Sequence, residues 1–271
     1  MSFEMRETVI QQTDIGPIVA GDILCLPVMI VNVCLIGNKD EWVLVDTGVG
    51  NSEGKILQAA EKSFGENSPP KAIVLTHGHF DHIGAVTGLM KRWNIPVYAH
   101  ESELPYLTGK ADYPPPDPSV GGGLMAAISP VYPNQGINLG DQVIALPRDG
   151  NIPFMPGWQW IHTPGHTAGH ISLFRERDRV LIAGDAFTTV KQESAMAVLT
   201  KKQEVHGPPA YFTTDWKAAW DSVKQLEALN PQVVISSHGL PLSGEKLTNE
   251  LKELARNFDK LAIPDQGKYV Q

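Results

Sequence analysis

Apolar and polar positions along the chain follow two periods. Residues 27–36 (PVMIVNVCLI) and 41–46 (EWVLVD) are short apolar runs, which predict a strand pair joined by the GNKD turn. Residues 52–64 (SEGKILQAAEKSF) switch to a helical period, with Ile56, Ala60 and Phe64 on one face. Residues 71–76 (KAIVLT) predict a short buried strand bounded by prolines. The helix expected after it carries Ile83, Val86, Met90 and Trp93 on one stripe, and residues 96–100 (PVYAH) predict another strand. Residues 113–123 (YPPPDPSVGGG) are too rich in Pro and Gly for regular structure.

The second half repeats this logic. Residues 142–146, 157–163, 170–174 and 179–185 predict strands at short spacing. A helix over 213–231 turns Trp216, Trp220, Val223 and Leu226 inward and stops at Asn230-Pro231. A strand at 232–237 and a final helix at 244–258 complete the pattern. Strands preceding helices in both halves predict an α/β fold of two packed sheets with helices outside. Neither a solenoid-length repeat nor a linker interrupts the chain, so residues 1–271 are expected to form one domain.

Charge narrows the partners. The 271 residues carry a formal charge of -8, which argues against nucleic-acid or anionic-membrane binding. Lys201-Lys202 and the series Arg175, Arg177, Arg179 read as solvated loop charge. Cys25 and Cys34 lie in predicted strands among Leu and Val and are expected to be buried free thiols. The first ten residues look like neither a signal peptide nor a membrane span, so a cytoplasmic location is expected.

The chemistry concentrates in residues 74–85, VLTHGHFDHIGA. His77 and His79 are two apart on an extended segment and point to the same side. Asp81 and His82 follow as the chain turns into a helix, where they face a second point. Imidazole and carboxylate are the usual ligands of zinc and similar ions, so one short loop serves two adjacent metals. Three further segments end apolar strands in the same way: residues 161–170 with His162, His166 and His170, residues 180–187 with Asp185, and residues 233–239 with His238.

Five segments together resemble the metallo-β-lactamase superfamily: VDTG (45–48), THGHFDH (76–82), TPGHTAGH (163–170), GDA (184–186) and SHG (237–239). The resemblance implies a four-layer αββα sandwich with the site along one edge of the two sheets. It further implies that His77, His79 and His166 bind a first metal, that Asp81, His82 and His238 bind a second, and that Asp185 bridges them. Asp46 is implied to steady the ligand loop. His162 and His170 are expected to support the site rather than bind metal, and His100 and His206 to be ordinary loop histidines, with His206 a possible pocket residue. Two divalent ions are expected, zinc first, with iron, manganese or cobalt as alternatives. A water between two ions about 3.5 Å apart becomes the nucleophile, and Asp81 orients it or carries its proton.

The resemblance also sorts the substrates. A bridging aspartate is a feature of lactonases, glyoxalase II-like thioesterases and phosphodiesterases and is lacking in the β-lactam-hydrolysing members. Only one helix follows His238, unlike glyoxalase II, and the intact His79 is unlike flavodiiron proteins. The expected substrate is therefore a small ester, lactone or thioester. The loops 101–135 and 188–212 are expected to wall the pocket, and Met125, Tyr132, Phe187, Met196, Tyr211 and Phe212 either form an apolar mouth for it or are simply packed loop residues. β-Lactamase or phosphodiesterase activity, a mononuclear iron oxygenase of the persulfide-dioxygenase type, and a catalytically idle binding protein are the alternatives. Oligomeric state is left open.

Overall fold

Runs that are apolar at every position become strands buried on both faces. The computed structural model describes residues 9–120, 124–191 and 203–270. The first sheet holds, in spatial order, β1 (Ile10–Gln11), β2 (Ile18–Val19), β3 (Ile23–Val28), β4 (Val31–Gly37), β5 (Trp42–Val45), β6 (Ile73–Val74), β7 (Val97–Ala99) and β8 (Val143–Ala145). Pairing is antiparallel from β1 to β5 and parallel from β5 to β8. The second sheet runs β13 (Leu242–Ser243), β12 (Val233–Ser236), β11 (Val180–Gly184), β10 (Ile171–Arg175), β9 (Trp158–His162), with only β11 and β12 parallel. The longer helices are α1 (Glu53–Phe64), α2 (Val86–Trp93), α3 (Trp216–Ala228) and α4 (Gly244–Arg256).

The period of two along each strand sorts its side chains into separate layers. Leu24, Leu26, Leu35, Trp42 and Leu44 face α1 and α2, where they meet Ile56, Ala60, Val86 and Leu89. Their neighbours Ile23, Cys25, Cys34, Val43 and Val45 face the other way, onto Ile171, Leu173, Ile182, Val233 and Ile235 of the second sheet. On the far side of that sheet Leu181, Ala183 and Val234 pack on Trp216, Val223, Leu247 and Leu251 of α3 and α4. Three apolar seams between four layers make an αββα sandwich.

Several expectations change in detail. The run 27–36 is not one strand. It folds back at Met29 and Ile30, where Met29 takes φ 54° and stands 82% exposed, so β3 ends at Val28 and β4 begins at Val31. An apolar pair at the tip carries none of the Gly or Asn signals that mark such turns. Ile83 lies in a turn before α2, its N–H donating to the His79 carbonyl, and Leu89 joins Val86 and Met90 on the buried face while Trp93 is only partly covered. Trp220 is also partly covered, and its indole N–H donates to the Ala255 carbonyl.

Arg175 overturns the reading of solvated charge. It is 2% exposed, holds both oxygens of Asp22 and of Asp178, and its guanidinium lies 4.8 Å from the Trp158 ring centre. It clasps the two sheets at the end of β10 remote from His170. Arg177 does stand mostly in solvent. Lys201 and Lys202 lie outside the described residues. Cys25 and Cys34 are free and buried, and face each other across β3 and β4. Among the described residues no helix is long and apolar enough to cross a membrane.

Candidate metal centre

Five chain segments meet where strands of both sheets end. β5 ends at Val45, and Asp46 takes a left-handed turn at φ 59° that sends its carboxylate under the loop after β6. There Asp46 Oδ1 accepts the Thr76 N–H and Oδ2 the Thr76 hydroxyl, both at 2.8 Å. Asp46 Oδ2 also receives His82 Nδ1–H at 2.8 Å, so His82 Nε2 is aimed the other way, into the site. Asp46 thus ties the loop after β6 through three hydrogen bonds.

The seven expected ligand residues are buried and converge. His79 Nδ1 lies 3.0 Å from both His77 Nε2 and His166 Nε2. On the other side Asp81 Oδ1 lies 3.8 Å from His82 Nε2, and Asp81 Oδ2 lies 3.6 Å from His238 Nε2. Asp185 stands between the groups. Its Oδ2 is 3.3 Å from His166 Nε2, 3.6 Å from His82 Nε2 and 4.0 Å from His77 Nε2, and its Oδ1 is 3.4 Å from His238 Nε2. Donor atoms of His77, His79 and His166, of His77, His82 and Asp185, and of Asp81, His82 and His238 form three clusters, each within 4.8 Å.

The outward ring nitrogens of His77, His82, His166 and His238 have partners, as the outer contacts of a metal ligand require. His238 Nδ1–H donates to the Ile30 carbonyl at 2.8 Å, and His166 Nδ1 lies 3.3 Å from the Thr213 hydroxyl. His77 Nδ1 is 3.2 Å from the Thr76 hydroxyl. His170 is buried but does not join the cluster; its Nε2 accepts the Asp185 N–H at 2.8 Å and so places that residue. His162 is exposed, with Nε2 2.9 Å from the Ala168 carbonyl, and stacks on His100. His206 pairs by its backbone with Thr188.

Electrostatics agree with cation binding. Burial holds His77 and His79 well below the usual imidazole range, and crowding by the other histidines adds to it. Burial also lowers His166 to about 3 and His170 to about 4. These rings are neutral at pH 7, the form that binds metal. Burial opposes a charge on His82 too, but Asp81, Asp46 and Asp185 outweigh it and hold the ring well above its normal value. Burial likewise opposes charge on His238, and Asp185 and then Asp81 raise it. The carboxylates thus draw positive charge into the site, which a bound cation supplies directly. His82 Nε2 and Asp185 Oδ1 are buried with no hydrogen-bond partner, and such orphaned donor atoms fit a divalent ion.

The apolar surroundings differ from the expected mouth. Phe187 is fully buried in the core beneath the second sheet. Met196 lies outside the described residues. Phe212 packs on His79 with ring centres 4.5 Å apart, and Tyr132 stacks on Phe80 at 5.4 Å. Phe80 sits inside the histidine motif, where nothing in the local sequence signals its place in the aromatic wall. Thr213 and the Ile30 carbonyl were also missed, since neither belongs to a motif and only the folded chain brings them near.

The fold and this cluster define a class: an αββα sandwich with a His/Asp metal-binding cluster at the edge shared by its two sheets. The chain belongs to the metallo-beta-lactamase superfamily, whose family model matches residues 26–238. The protein named "Probable metallo-hydrolase YflN" of Bacillus subtilis (strain 168) is 48% identical over 239 residues, covering 87% of this chain and 90% of that one. "Probable metallo-hydrolase YybB" of the same organism is 32% identical over 228 residues, 84% of this chain and 86% of its own. Among solved structures, BLEG-1 B3 metallo-beta-lactamase superposes with a TM-score of 0.59 at 24% identity, over 86% of this chain and 98% of its own, a likeness of fold. TTHA1623 in a di-iron-bound form gives 0.56 at 27% identity, over 86% of this chain and 96% of its own.

Proposed function

We propose that this chain is a dinuclear metal-dependent hydrolase, a single catalytic domain acting on a small ester, lactone or thioester. The observation that carries the reading is Asp185, one carboxylate within 4.0 Å of histidine nitrogens from both three-residue groups. An anion there offsets the repulsion between two cations held close together. His77, His79 and His166 would hold the first, and Asp81, His82 and His238 the second. Zinc suits this nitrogen and oxygen set; iron is the alternative, supported by the di-iron form of TTHA1623.

Divalent ions bound there supply Lewis acidity and acidify a water toward neutral pH. The protein's own groups do the rest. The Asp81 side chain is 10% exposed against 3% for Asp185 and 4% for Asp46, so Asp81 is the most accessible of these three buried carboxylates. It is the group to accept the proton of an attacking water and return it to the leaving oxygen or sulfur. Phe80, Tyr132 and Phe212 wall the His79 side and suit the apolar part of an acyl substrate. A net charge of -8 favours a neutral substrate over a phosphodiester.

The test is a hydrolysis screen with zinc-reconstituted protein over lactones of increasing acyl length, thioesters, aryl esters, a phosphodiester and a β-lactam. Two ions per chain are expected. kcat/KM should rise about fourfold per added methylene while the chain enters the aromatic wall, each buried CH₂ being worth about 0.8 kcal/mol. A phosphodiester or β-lactam turned over ten times faster than every ester would overturn the substrate class. A single iron with oxygen uptake would overturn hydrolysis itself.

A further inference from the structure

Glu103 is 0% exposed and belongs to none of the sequence motifs. It closes the short 3-10 turn Glu101–Glu103 that directly follows β7. A buried carboxylate is costly unless its lone pairs are filled. Here four donors converge on it, and none belongs to a Lys or Arg. Oε2 accepts the Gly78 N–H at 3.1 Å and the Tyr113 hydroxyl. Oε1 accepts the Thr167 hydroxyl at 2.7 Å and the Gly169 N–H at 2.8 Å. Four is the number an ionised carboxylate accepts.

The placement of these donors is informative. Gly78 stands between His77 and His79, and Thr167 follows His166 directly. One oxygen serves the loop after β6, and the other serves the loop between β9 and β10. A single side chain therefore holds a residue adjacent to each of the three histidines whose nitrogens converge, Gly78 by its backbone N–H and Thr167 by its hydroxyl, across loops 89 positions apart. We propose that Glu103 is a positioning residue that locks these two loops into one three-nitrogen metal site; the proposal rests on the reading of His77, His79 and His166 as that site.

Two further features support it. A Cβ on Gly169 would lie 2.7 Å from Glu103 Cγ and 2.8 Å from its Oε1, and a Cβ on Gly78 would run into the Tyr113 hydroxyl. The glycines of both loops are thus spaces that Glu103 and its partner fill. Tyr113 also lays its ring beside His79, centres 4.7 Å apart, so the phenol that completes the carboxylate's shell guides the ring as well. Asp81, His82 and His238 make no hydrogen bond to Glu103, which gives the proposal its selectivity.

E103Q keeps the shape and removes one accepting oxygen. Y113F keeps the ring beside His79 and removes one donor. Zinc affinities are read by competition with a chromophoric chelator, and each position's occupancy by anomalous diffraction from crystals grown at limiting zinc. E103Q should weaken the three-histidine site about 10–100-fold, the range for outer contacts of metal ligands, and leave the Asp81–His82–His238 site within about threefold. Y113F should weaken the same site about tenfold, the lower end of the worth of one hydrogen bond to a charged group. Equal weakening of both sites in E103Q, following a lowered melting temperature, with no effect of Y113F, would make Glu103 a general staple and overturn the proposal. Wild-type protein with zinc in the three-histidine site and unchanged affinity in both variants would overturn it alone. Wild-type protein that leaves those histidines without zinc would overturn the underlying reading together with it.

Discussion

The two halves of the molecule feed the site in opposite ways. The first sheet contributes His77, His79, Asp81 and His82 from one loop, and braces that loop from Asp46 at the end of the neighbouring strand β5. The second sheet contributes His166, Asp185 and His238 from three separate loops, each held from elsewhere: Thr213 for His166, His170 for Asp185, the Ile30 carbonyl for His238. The first half is a compact local motif. The second is a set of solitary residues that acquire a role only when both sheets are in place.

The largest effect should come from the one residue that faces both halves. Asp185→Ala is expected to lose bound metal and to cut kcat/KM by more than about 100-fold, beyond what outer contacts cost. Metal analysis and turnover on the best ester of the screen check it; two retained ions and a near-normal rate would reduce Asp185 to a turn residue. Next comes the brace of the local motif. Asp46→Asn leaves one accepting oxygen for three donors, and affinity at the Asp81–His82–His238 group should fall about 10–100-fold. An unchanged affinity there would show that the loop holds its own shape without Asp46.

The dispersed half is tested through Asn32. Its amide donates to the carbonyls of Ser236 and Gly239, and its N–H to that of Ser237, so it grips the loop that carries His238. Asn32→Ala should cost about 1–3 kcal/mol in urea unfolding, since it strands buried carbonyls, and should weaken the His238 side more than the three-histidine side. The smallest effect belongs to the surface of α3, which serves neither half. Lys217 and Lys224 hold the Asp221 carboxyl down to about 2. A depressed carboxylate contributes stability above its unfolded pKa of about 4, and that contribution fades as pH falls through about 2. Because the pair is solvated, Lys217→Ala should change stability at pH 7 by less than about 0.5 kcal/mol, and a melt at neutral pH checks it.

The same contrast governs what a reader of the sequence can find. Layer order follows from strand runs that are apolar at every position, and the dense motif at 77–82 announces itself by composition. Asp185 and His238 are legible only as parts of a family pattern, because one polar residue after a strand is ordinary. Glu103, Phe80 and Thr213 escape because their roles depend on loops that meet only in the folded chain. Arg175 misleads for a related reason: its acids Asp22 and Asp178 sit 153 and 3 positions away, and nothing along the chain signals that the guanidinium turns inward. The hairpin tip at Met29 is not legible because an apolar Met-Ile pair carries none of the Gly, Asn or Asp signals of a turn.

That the convergent nitrogens and carboxylates come from both sheets has a kinetic consequence. Hairpins such as β3–β4 can form early, since they close short loops, whereas docking residue 77 against residue 238 must wait for long-range order. A site completed after the rate-limiting step stabilises the native state without helping the chain reach it. Metal bound there would then slow unfolding and leave the refolding rate nearly unchanged. Loss of the ion to a chelator would shorten the lifetime of the folded molecule long before it altered how fast a new chain folds.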